Sequence, residues 1–145
     1  MNAQDRPRIV VGVDGSPPSN AALKWAVDEA KLLDATVEAV HAWQIPATYG
    51  WGPVVATPSL DLSESAEATV TEALTEVFGD EVPENVKVIV KEGQAAYSLI
   101  EASAGAHLLV VGSHGRGGFA GMLLGSVSQQ CVQHASCPVV VIREK

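Results

Sequence analysis

The sequence predicts a doubly wound α/β domain, and three observations lead there. Five short runs rich in β-branched residues recur along the chain, at Arg8–Val13, Thr36–Trp43, Val86–Lys91, Leu108–Val111 and Val139–Ile142. Several are unbroken apolar blocks rather than alternating ones, which is the pattern of strands covered on both faces. The intervals between them carry helical spacing, so the order is β-α-β-α-β-α-β-α-β. Alternation of this kind implies parallel strands joined by right-handed crossovers, with helices on both faces of the sheet.

The helices follow in order. The first spans about Ser16–Leu33, with Ala22, Ala26, Ala30 and Leu33 at helical spacing. Ser16 is suited to the N-cap, and Pro17 to the first helical position, where its missing N–H costs nothing. The second spans about Leu62–Phe78. Asp61 with Glu64 reads as a capping-box variant at its start, and Gly79 as its stop. The third, about Ala95–Ser103, ends before Gly105, and the fourth, about Ser126–His134, ends before Pro138. Gln44–Leu60 is a long Pro-, Gly- and Trp-containing connection, read either as a functional lid or as a mobile segment.

Bulk properties narrow the function classes. At 145 residues the chain has the length of one ordinary domain, and a single domain over 1–145 is expected. The formal charge of −8 argues against nucleic acid as a partner, which calls for a field of Lys and Arg. No apolar run approaches the ~20 residues of a membrane span, and the polar Met1–Arg8 does not resemble a signal peptide. A cytoplasmic protein is therefore expected, with no membrane partner. The two cysteines, Cys131 and Cys137, make no disulfide framework and read as buried or half-buried thiols, with redox sensing as the lesser alternative. The four histidines lack zinc-ligand spacing.

In open α/β sheets, ligands collect beyond the carboxyl ends of strands where the strand order reverses. Two strand ends here carry small, permissive residues: Gly12-Val13-Asp14-Gly15-Ser16 and Gly112-Ser113-His114-Gly115-Arg116-Gly117-Gly118. The second continues to Gly125-Ser126, where the fourth helix begins. Glycine lets backbone N–H groups converge on an anion, and a helix start adds unpaired N–H groups and the positive end of a dipole. Ser126 and Ser128 can donate hydroxyl hydrogen bonds to phosphate oxygens. Arg116 is the only Lys or Arg between Glu92 and Ile142 and could reach the outer phosphates. Read by itself, the cluster is either a phosphate loop or a set of ordinary turns. Gly115-x-Gly117-x-x-Ala120 is no dinucleotide fingerprint, because the acidic residue expected ~20 positions later is absent. A Walker sequence is absent too.

Gly112, Gly115, Gly125 and Ser126 match, without a gap, the pattern Gly-x2-Gly-x9-Gly-(Ser/Thr). On this pattern the chain resembles the ATP-binding universal stress proteins. Val11-Gly12-Val13-Asp14-Gly15-Ser16, Leu123-Leu124-Gly125-Ser126-Val127-Ser128 and Cys137-Pro138-Val139-Val140-Val141-Ile142-Arg143 extend the likeness over nearly the whole chain. The resemblance implies a Rossmann-like, adenine nucleotide alpha hydrolase-like fold, with a five-stranded parallel sheet of order 3-2-1-4-5. It implies ATP, with Mg, as the ligand. Asp14, beside Gly12 and Val13, would contact the ribose or, through the metal, the phosphates. The backbone around Ala42 would read the adenine edge. Gly112, Ser113, His114, Gly115, Arg116, Gly117, Gly125, Ser126, Val127 and Ser128 would surround the phosphates. It further implies a homodimer through Val139–Arg143. His107 stands where the family often has Asp, at the amino end of its strand and away from the ligand.

Several residues carry a blander alternative. Asp14 could cap the turn or the first helix with its carboxylate. His114 reads as a packed or solvent-facing loop histidine before it reads as a proton donor. His41 is placed to pack beside a ligand, and Trp25 to lie in the core or an interface. One of Trp43, Tyr49 and Trp51 could cover the base. The functional expectation is a nucleotide-responsive regulator in stress response, acting on an unknown regulatory partner. The alternatives are a slow ATPase or adenylyl-transferring enzyme, and a nucleotide-independent dimeric interaction module. Asp14 and His114 are the only acid–base candidates weighed, so any hydrolysis should be weak, and no catalytic residue is assigned.

Overall fold

The computed structural model describes residues 6–44, 58–115 and 124–143, with the backbone alone for 58–61. The strands are β1 (Arg8–Gly12), β2 (Thr36–Trp43), β3 (Val86–Glu92), β4 (Leu108–Gly112) and β5 (Val139–Ile142). The helices are α1 (Pro17–Leu33), α2 (Pro58–Phe78), α3 (Ala95–Ala102) and α4 (Ser126–His134). All neighbouring strands pair in parallel, in the order β3-β2-β1-β4-β5. This is the sheet that the resemblance implied.

The central strand shows why the sequence has unbroken apolar blocks. Ile9, Val10 and Val11 of β1 are all fully buried. Ile9 and Val11 pack with Ala22, Leu23, Ala26 and Val27 of α1 and Val70 and Leu74 of α2. Val10 packs with Leu99 of α3 and Cys131 of α4 on the opposite side. Two helices therefore cover each face, and a half-polar strand could not occupy this position. Burying each of these aliphatic side chains contributes about 1.5–3 kcal/mol.

Local signals set the helix ends. The Ser16 hydroxyl accepts a hydrogen bond from the Ser19 N–H at 3.4 Å, and Pro17 opens α1. Asp34, in the left-handed region at φ 52°, closes it and donates its N–H to the Ala30 carbonyl. Gly79 closes α2 at φ 64°, a conformation that carries little penalty without a Cβ. The start of α2 corrects the sequence reading. The helix opens at Pro58, four residues before Leu62, so Asp61 lies inside the first turn and does not cap it. Proline is favoured at a first helical position, and Thr57-Pro58 repeats in sequence the signature of Ser16-Pro17.

Arg8 ties the first strand to the surrounding elements. Its guanidinium donates to Glu38 of β2 at 2.7 Å and to the Ala102 and Ala104 carbonyls at 3.3 and 2.8 Å. Those carbonyls lie at the end of α3, where a cation complements the negative end of the helix dipole.

Candidate functional site

Strand order brings the carboxyl ends of β1 and β4 side by side, and a cavity of about 340 Å³ opens above them. Pockets for small-molecule ligands run from roughly 300 to 1,000 Å³. Gly12, Val13 and Asp14 line it from β1 and the turn that follows. Gly112, His114 and Gly115 line it from β4, and Gly125, Ser126, Val127 and Ser128 from the start of α4. The end of β2 contributes Val40, His41 and Ala42. Since β2 and β4 flank β1 on opposite sides, the cavity has two chemically distinct walls. Val40, Ala42, Ala95 and Leu99 make an apolar wall beside β2 and α3, and the glycine loop with α4 makes an amide-rich wall beside β4.

The amide-rich wall is held through the backbone of one residue, Ser113. The Ser113 carbonyl accepts the Gly125 N–H at 2.7 Å and the Ser128 hydroxyl at 3.1 Å, while the Ser113 N–H donates to the Ile142 carbonyl at 2.8 Å. Ser113 is thereby pinned between the tip of β5 and the beginning of α4. Its own side chain is buried and hydrogen bonds to His114 Nδ1 at 3.2 Å. It lies beneath the cavity lining. Ser128 lines the cavity, but its hydroxyl donates to the Ser113 and Gly125 carbonyls as a brace. Gly125 is the N-cap of α4, and its carbonyl accepts the Gln129 N–H. The helix geometry leaves the N–H groups of Ser126, Val127 and Ser128 without intrahelical acceptors, at the positive end of the dipole.

The glycines of this pattern differ in what demands them. A Cβ on Gly112 would stand 2.7 Å from the Pro18 carbonyl carbon, so this glycine admits the first turn of α1 against the end of β4. A Cβ on Gly115 would stand 2.8 Å from Asp14 Oδ2. The two strand-end turns therefore touch at Asp14 and Gly115. A Cβ on Gly125 would meet nothing closer than His114 Cα at 3.4 Å, an ordinary contact. Folding alone does not demand glycine there. Arg116 and Gly117 fall outside the described residues, as do Tyr49, Trp51 and most of the connection before α2.

The Asp14 turn is preorganised. Asp14 Oδ1 accepts from the Ser16 N–H at 2.9 Å and from the Ser16 hydroxyl. The Asp14 N–H donates to Ser19 Oγ at 3.0 Å, and the Ser19 hydroxyl donates to the Gly12 carbonyl at 3.3 Å. Asp14 thus shapes its own turn, the blander role considered from sequence, while also lining the cavity. It is the one carboxylate among the described lining residues. A lone carboxylate suits Mg²⁺ that arrives on phosphates, since that ion is commonly held by one or two carboxylates, substrate oxygens and water. Among the described residues no group of three or more His, Cys, Asp or Glu side chains gathers as a metal site without a ligand.

Ser19, Ala95 and Leu99 line the cavity and were not singled out from sequence. Their letters are those of ordinary helix positions. The topology held a signal, because a helix following a parallel strand begins at the carboxyl edge of the sheet, where α3 presents Ala95. Trp25 lies partly buried against the α1 and α2 core. Cys131 is fully buried in the other core, with Cys137 half-buried beside that cluster. Burial, and secondarily the neighbouring Cys137, push the Cys131 thiol up to about 11, which suppresses the reactive thiolate at neutral pH. Among the described residues no helix is long and apolar enough to cross a membrane.

A five-stranded parallel sheet with reversed strand order and a glycine-lined crevice at the reversal defines a doubly wound α/β protein. The chain belongs to the universal stress protein family, whose model matches residues 6–143. It is 43% identical over 142 residues to a universal stress protein of Mycobacterium tuberculosis, covering 94% of this chain and 45% of that protein. It is 40% identical over 139 residues to one of Mycolicibacterium smegmatis, covering 94% and 46%. The chain thus spans about half the length of the curated relatives it matches. Among solved structures it is similar to the universal stress protein UspA from Lactobacillus plantarum, at 28% identity and a TM-score of 0.70, covering 94% of this chain and 97% of that one. Two further structures share the fold. One is a universal stress protein in complex with cAMP, with 23% identity, a TM-score of 0.62 and coverage of 97% and 98%. The other is from Archaeoglobus fulgidus in complex with dAMP, with 20% identity, a TM-score of 0.61 and coverage of 94% and 97%.

Proposed function

We propose that this chain binds ATP with Mg²⁺ in the crevice between β1 and β4 and acts as a nucleotide-responsive regulator in the cytoplasmic stress response. The observation that carries the reading is the pairing of two walls. Unpaired helix-start amides and the Gly115 turn converge at one side of the cavity, and a small apolar surface faces them at the other. A nucleotide has the same division, with phosphates at one end and a flat base at the other. That two proteins of the same fold were solved with cAMP and dAMP supports an adenine nucleotide as the class.

In this reading the N–H groups of Gly115, Ser126, Val127 and Ser128 hold the phosphates, over a floor formed by Gly112, Ser113 and His114. Arg116 and Gly117 remain assigned to the phosphates on the sequence pattern. Gly12 and Val13 line the passage between the walls, and the backbone at Ala42 reads the adenine edge. Asp14 faces the ribose or a phosphate-borne Mg²⁺, which when bound would neutralise phosphate charge. Two copies pair through the exposed edge of β5, Val139–Ile142, since an uncovered edge strand invites pairing. A regulatory partner then reads the occupied state.

Calorimetry on nucleotide-free protein tests this, with ATP and Mg²⁺ titrated into the wild type and into Gly125→Asp. The wild type should take up one nucleotide per chain. The variant should keep its circular dichroism spectrum and lose at least ~30-fold in affinity, about 2 kcal/mol, from a carboxylate set where the anion sits. Unchanged affinity in the folded variant would refute the phosphate seat.

A further inference from the structure

The imidazole of His41 has a role that the glycine pattern does not suggest. His41 Nδ1 lies 2.6 Å from the Val13 carbonyl oxygen. A carbonyl only accepts, so Nδ1 carries the hydrogen and donates it. The Val13 N–H is itself held by the Val40 carbonyl at 2.8 Å, and the next N–H, that of Asp14, by Ser19 Oγ at 3.0 Å. The two peptide groups on either side of Val13's Cα are therefore fixed by consecutive residues of β2 and by α1. The second of them, joining Val13 to Asp14, is gripped at its carbonyl by His41 and at its N–H by Ser19. The Asp14 Cα follows directly on this peptide, and its carboxylate points across to Gly115 on the opposing turn.

We infer that His41 is a positioning residue. Its Nδ1–H fixes the Val13–Asp14 peptide and so aims the Asp14 carboxylate at the place where a phosphate-borne Mg²⁺ would sit. This rests on the proposed nucleotide reading and adds to it the residue that controls its metal dependence. Removing the donor takes away the restraint on the Val13 carbonyl, one among several on this turn, since Ser19 still holds the Asp14 N–H and Ser16 still holds Asp14 Oδ1, and so loosens the aim of the carboxylate. Amide contacts to the phosphates, made on the other wall by α4, are untouched. The consequence falls on the Mg²⁺-dependent gain in affinity.

Two substitutions separate positioning from packing. His41→Leu keeps similar bulk and removes the donor, whereas His41→Asn carries an amide N–H close to where Nδ1 stood. Calorimetry with ATP, in Mg²⁺ and in EDTA, gives the metal-dependent gain in affinity for each protein. His41→Leu should lose ~10-fold of that gain, the worth of one positioned hydrogen bond, while His41→Asn keeps it within ~3-fold. Because His41 lines the cavity, each affinity in Mg²⁺ is referred to the same protein's value in EDTA, so that a packing effect common to both conditions cancels. Nitrogen NMR of the wild-type imidazole, which needs no nucleotide, should show the Nδ1–H tautomer. Equal Mg²⁺ response in all three proteins, or an Nε2–H tautomer in the wild type, overturns the inference and leaves the nucleotide reading standing. A wild type that binds no ATP in either condition overturns both.

Discussion

At the scale of single residues, the glycines show that one sequence pattern can serve two physical demands. Gly112 and Gly125 stand in the same spaced motif and look equivalent on the page. In the fold, the place of a Gly112 Cβ is taken by Pro18 backbone at 2.7 Å, whereas that of Gly125 is open to 3.4 Å. Gly112→Ala should therefore destabilise the protein by about 1–3 kcal/mol through overpacking against backbone that cannot step aside. Gly125→Ala should stay within ~1 kcal/mol of wild type in stability, yet weaken ATP binding, because its methyl group enters the anion's approach. Urea unfolding of the two variants, with ATP affinity measured on each, checks the contrast; equal stability loss in both would contradict it. Sequence could expose the motif because its spacing is local. It could not sort these glycines, because the atoms that crowd Gly112 belong to a helix nearly a hundred residues earlier.

Among the elements, the strands were the most legible part. Their apolar blocks answer directly to burial on both faces, and the central β1 is the clearest instance. Helix ends were legible where a side chain or a proline makes the cap, as at Ser16-Pro17, and the beginning of α2 was missed because Asp61 and Glu64 offered a competing signal further on. The contribution of α3 to the site was not legible, since Ala95 and Leu99 are letters of any buried helix face. Only the crossover topology turns them toward the ligand side. Topology also gives Arg8 its importance, by bringing the carbonyls of Ala102 and Ala104 and the carboxylate of Glu38 to one guanidinium. Arg8→Leu should cost about 1–3 kcal/mol, because it strips partners from a largely buried carboxylate and from the helix end at once. A urea midpoint equal to that of the wild type would show that the clamp holds nothing.

On the scale of the whole molecule, a chain of formal charge −8 is an unpromising host for a polyanion. In the proposed reading the sheet order removes the difficulty, because it sets the turn after β1, the glycine turn after β4 and the start of α4 around one crevice. Partial charges on oriented amides act at contact distance, where they outweigh a diffuse field that salt screens beyond ~8 Å. The chain spans about half the length of the curated relatives it matches, and the residues that line the crevice, from Gly12 to Ser128, fall within the region that the family model matches. The most direct measurement of the account is a titration of nitrogen-labelled protein with ATP and Mg²⁺, followed by amide NMR. The account predicts that the resonances of Gly115, Ser126, Val127 and Ser128 shift together, saturating at one nucleotide per chain. Saturable binding that leaves those four amides unmoved would contradict it.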